Sequence, residues 1–202
     1  MKRVTTILIT FLLCASSLTY AQRRNHFAIQ IAPQYGLDDY SVYNTDFSIM
    51  YIRDIGRLFH LGAGAGVGTS KLNSYEFDEK HSYNVTYVPV FLKAQIDFSS
   101  KNAYTYGAIK AGARLFGSTP NRKITHQGET ITLGGYNPTL ASVTPSIGYN
   151  VPIGQLYLGI EAGIEFLYGR ENTIFIGDDG STWHHSQKGF YKSIGMAISL
   201  QF

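Results

Sequence analysis

The sequence has a single cysteine, Cys14, and this scarcity sets the first limit on the fold. With no second cysteine to pair with, the chain cannot be stabilised by an internal disulfide. Long apolar runs are missing as well. The most apolar stretch, Ile7–Leu13, falls short of the roughly 20 residues that a membrane-spanning helix needs. No segment repeats its apolar residues with the period of an amphipathic helix. A helical fold is therefore not expected.

An excess of charge of one sign is also absent. The chain has 17 Lys and Arg residues against 14 Asp and Glu residues, a net charge of +3. Two of the basic residues, Lys2 and Arg3, lie in an N-terminal segment with the pattern of an export signal, and 17 minus 2 leaves 15 against 14. A domain this close to neutral lacks the basic surface typical of nucleic-acid binding. We expect no nucleic-acid partner.

The first 21 residues have the layout of a secretory signal peptide: a basic start, an apolar middle and the small residue Ala21 at the end. Cleavage there predicts a mature domain over residues 22–202 and removes Cys14. Lipid attachment at Cys14 is the alternative. Lipoprotein signals place a small residue before the cysteine, whereas Leu13 is bulky. We therefore expect an exported chain without thiol chemistry.

Apolar and polar residues alternate with a period of two throughout the mature domain, which predicts strands. In the clearest segment, Ile160 and Ile164 lie on one face while Glu161 and Glu165 lie on the other. The alternation predicts eight strands, over residues 26–36, 44–55, 58–70, 82–98, 103–117, 137–151, 154–168 and 189–202.

Short and long connections alternate between these strands, and this alternation distinguishes a membrane barrel from a soluble β-sandwich. A soluble sandwich also has one apolar face, but it points inward. Membrane barrels have short turns at one end, long loops at the other and aromatic girdles at both interfaces. Aromatic residues do gather at the ends of the predicted apolar face, among them Phe27, Phe59 and Phe202. The sequence thus predicts an all-β fold, an up-and-down antiparallel eight-stranded transmembrane β-barrel.

This architecture resembles the small eight-stranded outer-membrane barrels of Gram-negative bacteria, the OmpX, OmpA-transmembrane and outer membrane protein beta-barrel domain families. The resemblance covers about residues 25–202 and includes the last strand, whose apolar face carries Ile194, Met196, Ile198, Leu200 and Phe202. It implies location in the cell outer membrane, contact with its lipid and lipopolysaccharide, and recognition of this C-terminal strand by the barrel-assembly machinery.

Charged residues on the inward face predict how the lumen is filled. An eight-stranded barrel is just wide enough for side chains to fill it. Because a charge in such a confined place needs a partner, we expect an internal ion-pair network that plugs the lumen. Between the basic and acidic strands, small residues such as Ser142 and Thr144 leave room for the long side chains to meet. The predicted members of this network are Lys93, Lys110, Arg114, Glu161 and Glu165.

No catalytic, cofactor or metal motif is apparent, so we expect a non-catalytic structural or surface-interaction protein. Two alternatives remain. His184 and Ser186 form an H-x-S pair, with Asp178 and Asp179 nearby, which is reminiscent of lipid A deacylase barrels. The second is a narrow porin-like channel, which the lumen charges argue against. We expect no cofactor and no metal, since the adjacent His184 and His185 point to opposite sides of an extended chain.

The long loops are predicted to face outward and to carry any partner contacts. Two readings are open for Arg122 and Lys123: they pair with lipopolysaccharide phosphates, or they are charged only because surface loops are polar. Trp183 and neighbouring tyrosines are suited to an unidentified protein partner. The predicted loops cover residues 37–43, 71–81, 118–136 and 169–188.

Overall fold

The computed structural model describes residues 25–38, 41–76, 79–99, 103–117, 122–126, 129–134, 139–177 and 180–202. The predicted signal peptide, residues 1–21, lies outside these ranges. Where the chain is described, no helix is long and apolar enough to cross a membrane. Ten strands form one antiparallel sheet: β1 (Asn25–Gly36), β2 (Ser41–Asp54), β3 (Phe59–Glu76), β4 (Glu79–Asp97), β5 (Tyr104–Phe116), β6 (Arg122–His126), β7 (Glu129–Gly134), β8 (Thr139–Ile153), β9 (Leu156–Ile176) and β10 (Thr182–Gln201).

Eight of these strands, β1–β5 and β8–β10, close into a barrel in which each strand pairs with both of its neighbours. β1 meets β10 at the seam, where Ile31 lies opposite Ile198. At the end of the seam, Phe27 and Phe202 exchange two backbone hydrogen bonds, each 2.9 Å from N to O. Closure removes free edges from the barrel wall, as a lipid environment requires. The predicted up-and-down eight-stranded barrel is confirmed.

The barrel wall carries its apolar side chains outward. On β9, Ile160 and Ile164 are 46% and 41% exposed, whereas Glu161 and Glu165 are 6% and 4% exposed. A water-soluble protein does the opposite, since it buries apolar side chains and rarely buries charges. The exterior of this barrel is therefore suited to lipid, and its polar residues occupy the interior.

A tight turn of Gly154 and Gln155 joins β8 to β9. Gly154 has a φ of 65°, a left-handed conformation that glycine adopts without the steric cost of a Cβ atom. Two-residue hairpin turns of this kind match the twist of the strands they join. The alternation pattern predicts this connection at 152–153, two residues early, because β8 continues to Ile153.

Two of the predicted long loops are wrong, because strands continue through them. β3 and β4 stay paired up to Glu76 opposite Glu79, within the predicted loop 71–81. β9 and β10 stay paired up to Ile176 opposite Thr182, within the predicted loop 169–188. The physical reason is that a strand needs an apolar outer face only where it crosses the apolar belt, the ring of outward-facing apolar side chains around the barrel. Its hydrogen-bond ladder persists while the alternation that predicts it fades.

The predicted loop 118–136 is also partly wrong, since it contains the two short strands β6 and β7. β7 pairs with the tip of β9, where Thr132 lies opposite Ile176. β6 pairs with β7, where Arg122 lies opposite Leu133. β8 begins at Thr139, opposite Arg170 of β9. Beyond that point, β7 pairs with β9 in place of β8. The predicted loop 37–43 is shorter than expected as well, because β2 begins at Ser41.

Candidate functional site: the polar lumen and the apolar belt

The first ion pair in the lumen joins β4 to β9. The Lys93 ammonium donates a hydrogen bond to Oε2 of Glu161, and the two residues are only 5% and 6% exposed. The Tyr106 hydroxyl donates a second hydrogen bond to the same oxygen, over 2.9 Å. Lys93 Nζ also lies 5.1 Å from the centre of the Tyr106 ring. Donors from β4 and β5 thus hold the Glu161 carboxylate.

The second ion pair joins β5 to β9. Nη2 of Arg114 donates to Oε2 of Glu165 and, over 2.5 Å, to Oε1 of Gln34. The same nitrogen lies 3.8 Å from Oδ2 of Asp46. The guanidinium lies 4.6 Å from the centre of the Tyr87 ring, and the Tyr87 hydroxyl donates to Asp46. Side chains from β1, β2, β4 and β9 therefore surround one buried cation.

Lys110 does not join either pair. It lies directly opposite Lys93 across β4 and β5, and its ammonium sits 4.9 Å from the centre of the Phe91 ring. Among the described residues, no carboxylate lies within ion-pair distance of it. The structure thus brings four of the five predicted lumen residues into two separate pairs, with Lys110 apart from both.

Several partners of these pairs were not predicted from the sequence. Asp46 and Gln34 both lie on inward positions, on β2 and β1, where no lumen residues were predicted. Tyr106 lies on the inward face of β5, as its place in the alternation indicates, but its hydrogen bond to Glu161 was not expected. The signal for Asp46 is present in the alternation of β2, where Asn44, Asp46 and Ser48 are buried between lipid-facing residues.

A separate polar cluster closes the short-turn end of the barrel. Nδ1 of His60 lies 2.6 Å from Oδ1 of Asp54, and its Nε2 lies 2.7 Å from Oδ2 of Asp97. Because ionised carboxylates only accept hydrogen bonds, this geometry fits an imidazole ring that is protonated on both nitrogens. His26 adds a contact of 3.1 Å to the other oxygen of Asp54, and Gln95 donates to Asp97 over 2.9 Å. This cluster links β1, β2, β3 and β4.

An apolar belt surrounds the barrel and ends in aromatic residues. At the short-turn end, Phe27 stacks on Phe202 with ring centres 6.2 Å apart and contacts Tyr51 at 5.5 Å. At the other end, Phe166 stacks on Phe190 at 6.3 Å. The predicted assembly residues of the last strand all face outward and are at least 38% exposed: Ile194, Met196, Ile198, Leu200 and Phe202.

Three of the residues considered for catalysis and metal binding lie on β10. His184, His185 and Ser186 belong to the strand, where the sequence predicts a loop. Asp178 and Asp179 lie outside the described residues. Within the described ranges, no group of three or more His, Cys, Asp or Glu side chains is arranged to hold a metal ion.

Solved structures with the same architecture are outer-membrane proteins. A major outer membrane protein of Thermus thermophilus has a TM-score of 0.57 at 12% identity, covering 88% of this chain and 99% of that one. OprG of Pseudomonas aeruginosa has a TM-score of 0.54 at 9% identity, covering 87% and 95%. This chain has the fold of a small outer-membrane β-barrel.

A further similar structure is that of AlkL, determined by solid-state NMR in DMPC lipid bilayers. Its TM-score is 0.53 at 12% identity, with 90% of each chain covered. At such low identities the likeness is one of fold alone. No protein-family model and no curated protein matches the sequence. The predicted resemblance to eight-stranded outer-membrane barrels is confirmed at that level.

Proposed function

We propose that the chain is an integral outer-membrane barrel with a sealed lumen and a non-catalytic structural or surface-interaction role. In this proposal, residues 1–21 direct export and are removed, and the barrel-assembly machinery inserts the domain through its last strand. The apolar belt supports the location, because exposed apolar side chains of this extent are stable only against lipid. The proposal of a sealed lumen rests on one observation, the two buried ion pairs Lys93–Glu161 and Arg114–Glu165.

The size of the buried side chains supports a plug more than a pore. Arg114, Tyr87 and Tyr106 are each at most 2% exposed and project into the same interior. Eight strands leave an interior that side chains of this size fill. Separating either ion pair to open a path would leave a buried charge unpaired, at a cost of about 3–5 kcal/mol. The closed state is therefore strongly favoured.

Planar-bilayer recording of the purified protein tests the plug. We expect no stable large-conductance channels from the wild-type barrel. The matched variant is Arg114→Ala, which removes the central buried cation and its volume, and from which we expect a measurable conductance. Stable large channels from the wild-type protein would contradict the proposal, whatever the variant does.

The strands that project past the belt support a role in surface recognition. β6, β7 and the tips of β9 and β10 form a small sheet beyond the barrel rim. Trp183 is 53% exposed, and Lys123 and Lys188 are exposed on the same sheet. An indole and cations suit contact with a protein partner or with lipopolysaccharide phosphates.

Affinity purification from outer membranes in mild detergent tests the recognition role. A variant in which residues 118–136 are replaced by a short turn is the control, because the closed eight-stranded wall does not include β6 and β7. We expect a stoichiometric partner, or bound lipopolysaccharide, that the shortened variant loses. Retention of the same material by both proteins would contradict a role for this sheet.

A further inference from the structure

A small cavity lies in the lumen between the two ion pairs. It has a volume of about 20 Å³, and its lining includes Lys110, Thr144, Glu161 and Glu165. A buried water needs about 10–15 Å³ of such space, together with two to four polar partners. The cavity is therefore large enough for one or two water molecules and too small for an organic solute.

Two opposed glycines line this space. Gly163 on β9 lies directly opposite Gly195 on β10, and both occupy inward positions that line the cavity. Neither position has room for a Cβ atom, which would lie 2.8 Å from the Pro145 carbonyl oxygen at Gly163 and 2.6 Å from Cγ of Gln34 at Gly195. Adjacent strands thus approach closely here, and no side chain projects from either position into the lumen.

One polar atom at this cavity has no partner within the described structure. The Thr144 hydroxyl is buried without a hydrogen bond, and the residue is 7% exposed. Leaving such a group unsatisfied costs about 1–3 kcal/mol, so native proteins usually supply a partner, and an ordered water is the common one where space exists. The space beside Thr144 is of the right size, and although most of its surface is apolar, its lining includes Lys110, Glu161 and Glu165 as possible partners for a water.

The charges around the cavity select the ligand. The Lys110 ammonium has three donors and faces the ring of Phe91, and two carboxylates line the same space. Lys93, Lys110 and Arg114 balance Asp46, Glu161 and Glu165, so no counter-ion is required. Glu161 and Glu165 would repel an anion, while Lys110 would repel a metal cation. A neutral molecule that both donates and accepts fits all of these groups.

We propose that this cavity is a specific water-binding site. The bound water accepts a hydrogen bond from Lys110 and bonds to the Thr144 hydroxyl, and it donates to a glutamate oxygen. It thereby connects Lys110, which stands apart from the ion pairs, to the rest of the lumen network. The plug is then one continuous network in which water is a structural component.

Crystal structures at high resolution of the full barrel and two variants at one position test this site. Thr144→Val keeps the shape and removes the hydroxyl, whereas Thr144→Ser keeps the hydroxyl. We expect a water peak within hydrogen-bond distance of Oγ1 of Thr144 in the wild type and of the serine hydroxyl in its variant, and its loss in the valine variant. A dry cavity in the wild type, or a peak unchanged by valine, overturns the proposal.

Urea unfolding in detergent micelles gives a second readout whose sign distinguishes the two states of the cavity. If water is bound, Thr144→Val removes one of its partners, and the unfolding midpoint falls. If the cavity is dry, valine removes an unsatisfied hydroxyl and the midpoint rises. An unchanged or raised midpoint overturns the proposal.

Discussion

Arg114 on β5 reaches across β8 to form an ion pair with Glu165 on β9. On β8, which lies between them, the buried Leu140 is opposite Arg114, but the next inward residues, Ser142 and Thr144, are small and leave a path to Glu165. Arg114 is the largest fully buried side chain described, and groups from four strands surround it. The pair therefore ties together separate parts of the barrel wall through the lumen.

Replacing Arg114 by Met should destabilise the barrel by about 3–5 kcal/mol, because Glu165 and Asp46 are left buried without their cation. Urea unfolding in micelles, followed by the heat-dependent gel mobility of the folded barrel, measures the change. The double variant Arg114→Met/Glu165→Met should recover much of the loss, since it removes one of the two unpaired charges. Equal stability of the single variant and the wild type would show that the pair is not needed.

The two opposed lysines should respond differently to the same substitution. Lys93→Met leaves the Glu161 carboxylate buried without its cation, with hydroxyl donors such as Tyr106 as its remaining partners, and should cost about 3–5 kcal/mol. Lys110→Met removes a cation–π contact and a water ligand, and should cost at most about 2 kcal/mol. Each variant is the control for the other, as both remove the same charge from neighbouring positions. The same unfolding measurement ranks them, and a reversed order would refute the assignment of partners.

His60→Ala should weaken the short-turn end of the barrel at neutral pH. The substitution removes the cation between Asp54 and Asp97 and leaves two facing carboxylates. Its effect on the unfolding midpoint should shrink in acid, because a protonated carboxyl group carries no charge to repel its neighbour. His26→Ala is the matched control, since His26 makes one longer contact to Asp54 and bridges no second carboxylate in the described structure. A deficit that stays constant with pH would argue against an ionic role for His60.

Removal of Phe202 should reduce insertion into the outer membrane, because the residue both completes the aromatic end of the belt and closes the seam with Phe27. The folded fraction in outer-membrane preparations, read from gel mobility without heating, measures this. Phe98→Ala is the control: Phe98 is 63% exposed in the belt but lies far from the last strand in the sequence. Equal losses of insertion in the two variants would mean that Phe202 acts only through general contact with lipid. Normal insertion without Phe202 would show that the terminal residue is not an assembly signal.

The lipid-facing pattern made the barrel predictable, because a membrane forces strict alternation on every strand it surrounds. Val88, Val90 and Leu92 on β4 illustrate this, as all three are exposed as expected. Outside the lipid that constraint ends, so the upper parts of β9 and β10 resemble loops in the sequence. The two ion pairs could be predicted from the sequence, because their members occupy inward positions and carry opposite charges. The His60 cluster did not, because Asp97 reaches His60 only through the register of β3 and β4, where His60 lies opposite Gln95.

The seam between β1 and β10 joins the first strand of the barrel wall to the last. Every other neighbouring pair in the wall is closer together in the sequence, so this contact requires the longest chain closure. Until β10 is in place, both edges of the nascent sheet are open to wrong partners. The barrel wall therefore closes only when β10 pairs with β1, the strand contact with the largest sequence separation in the wall.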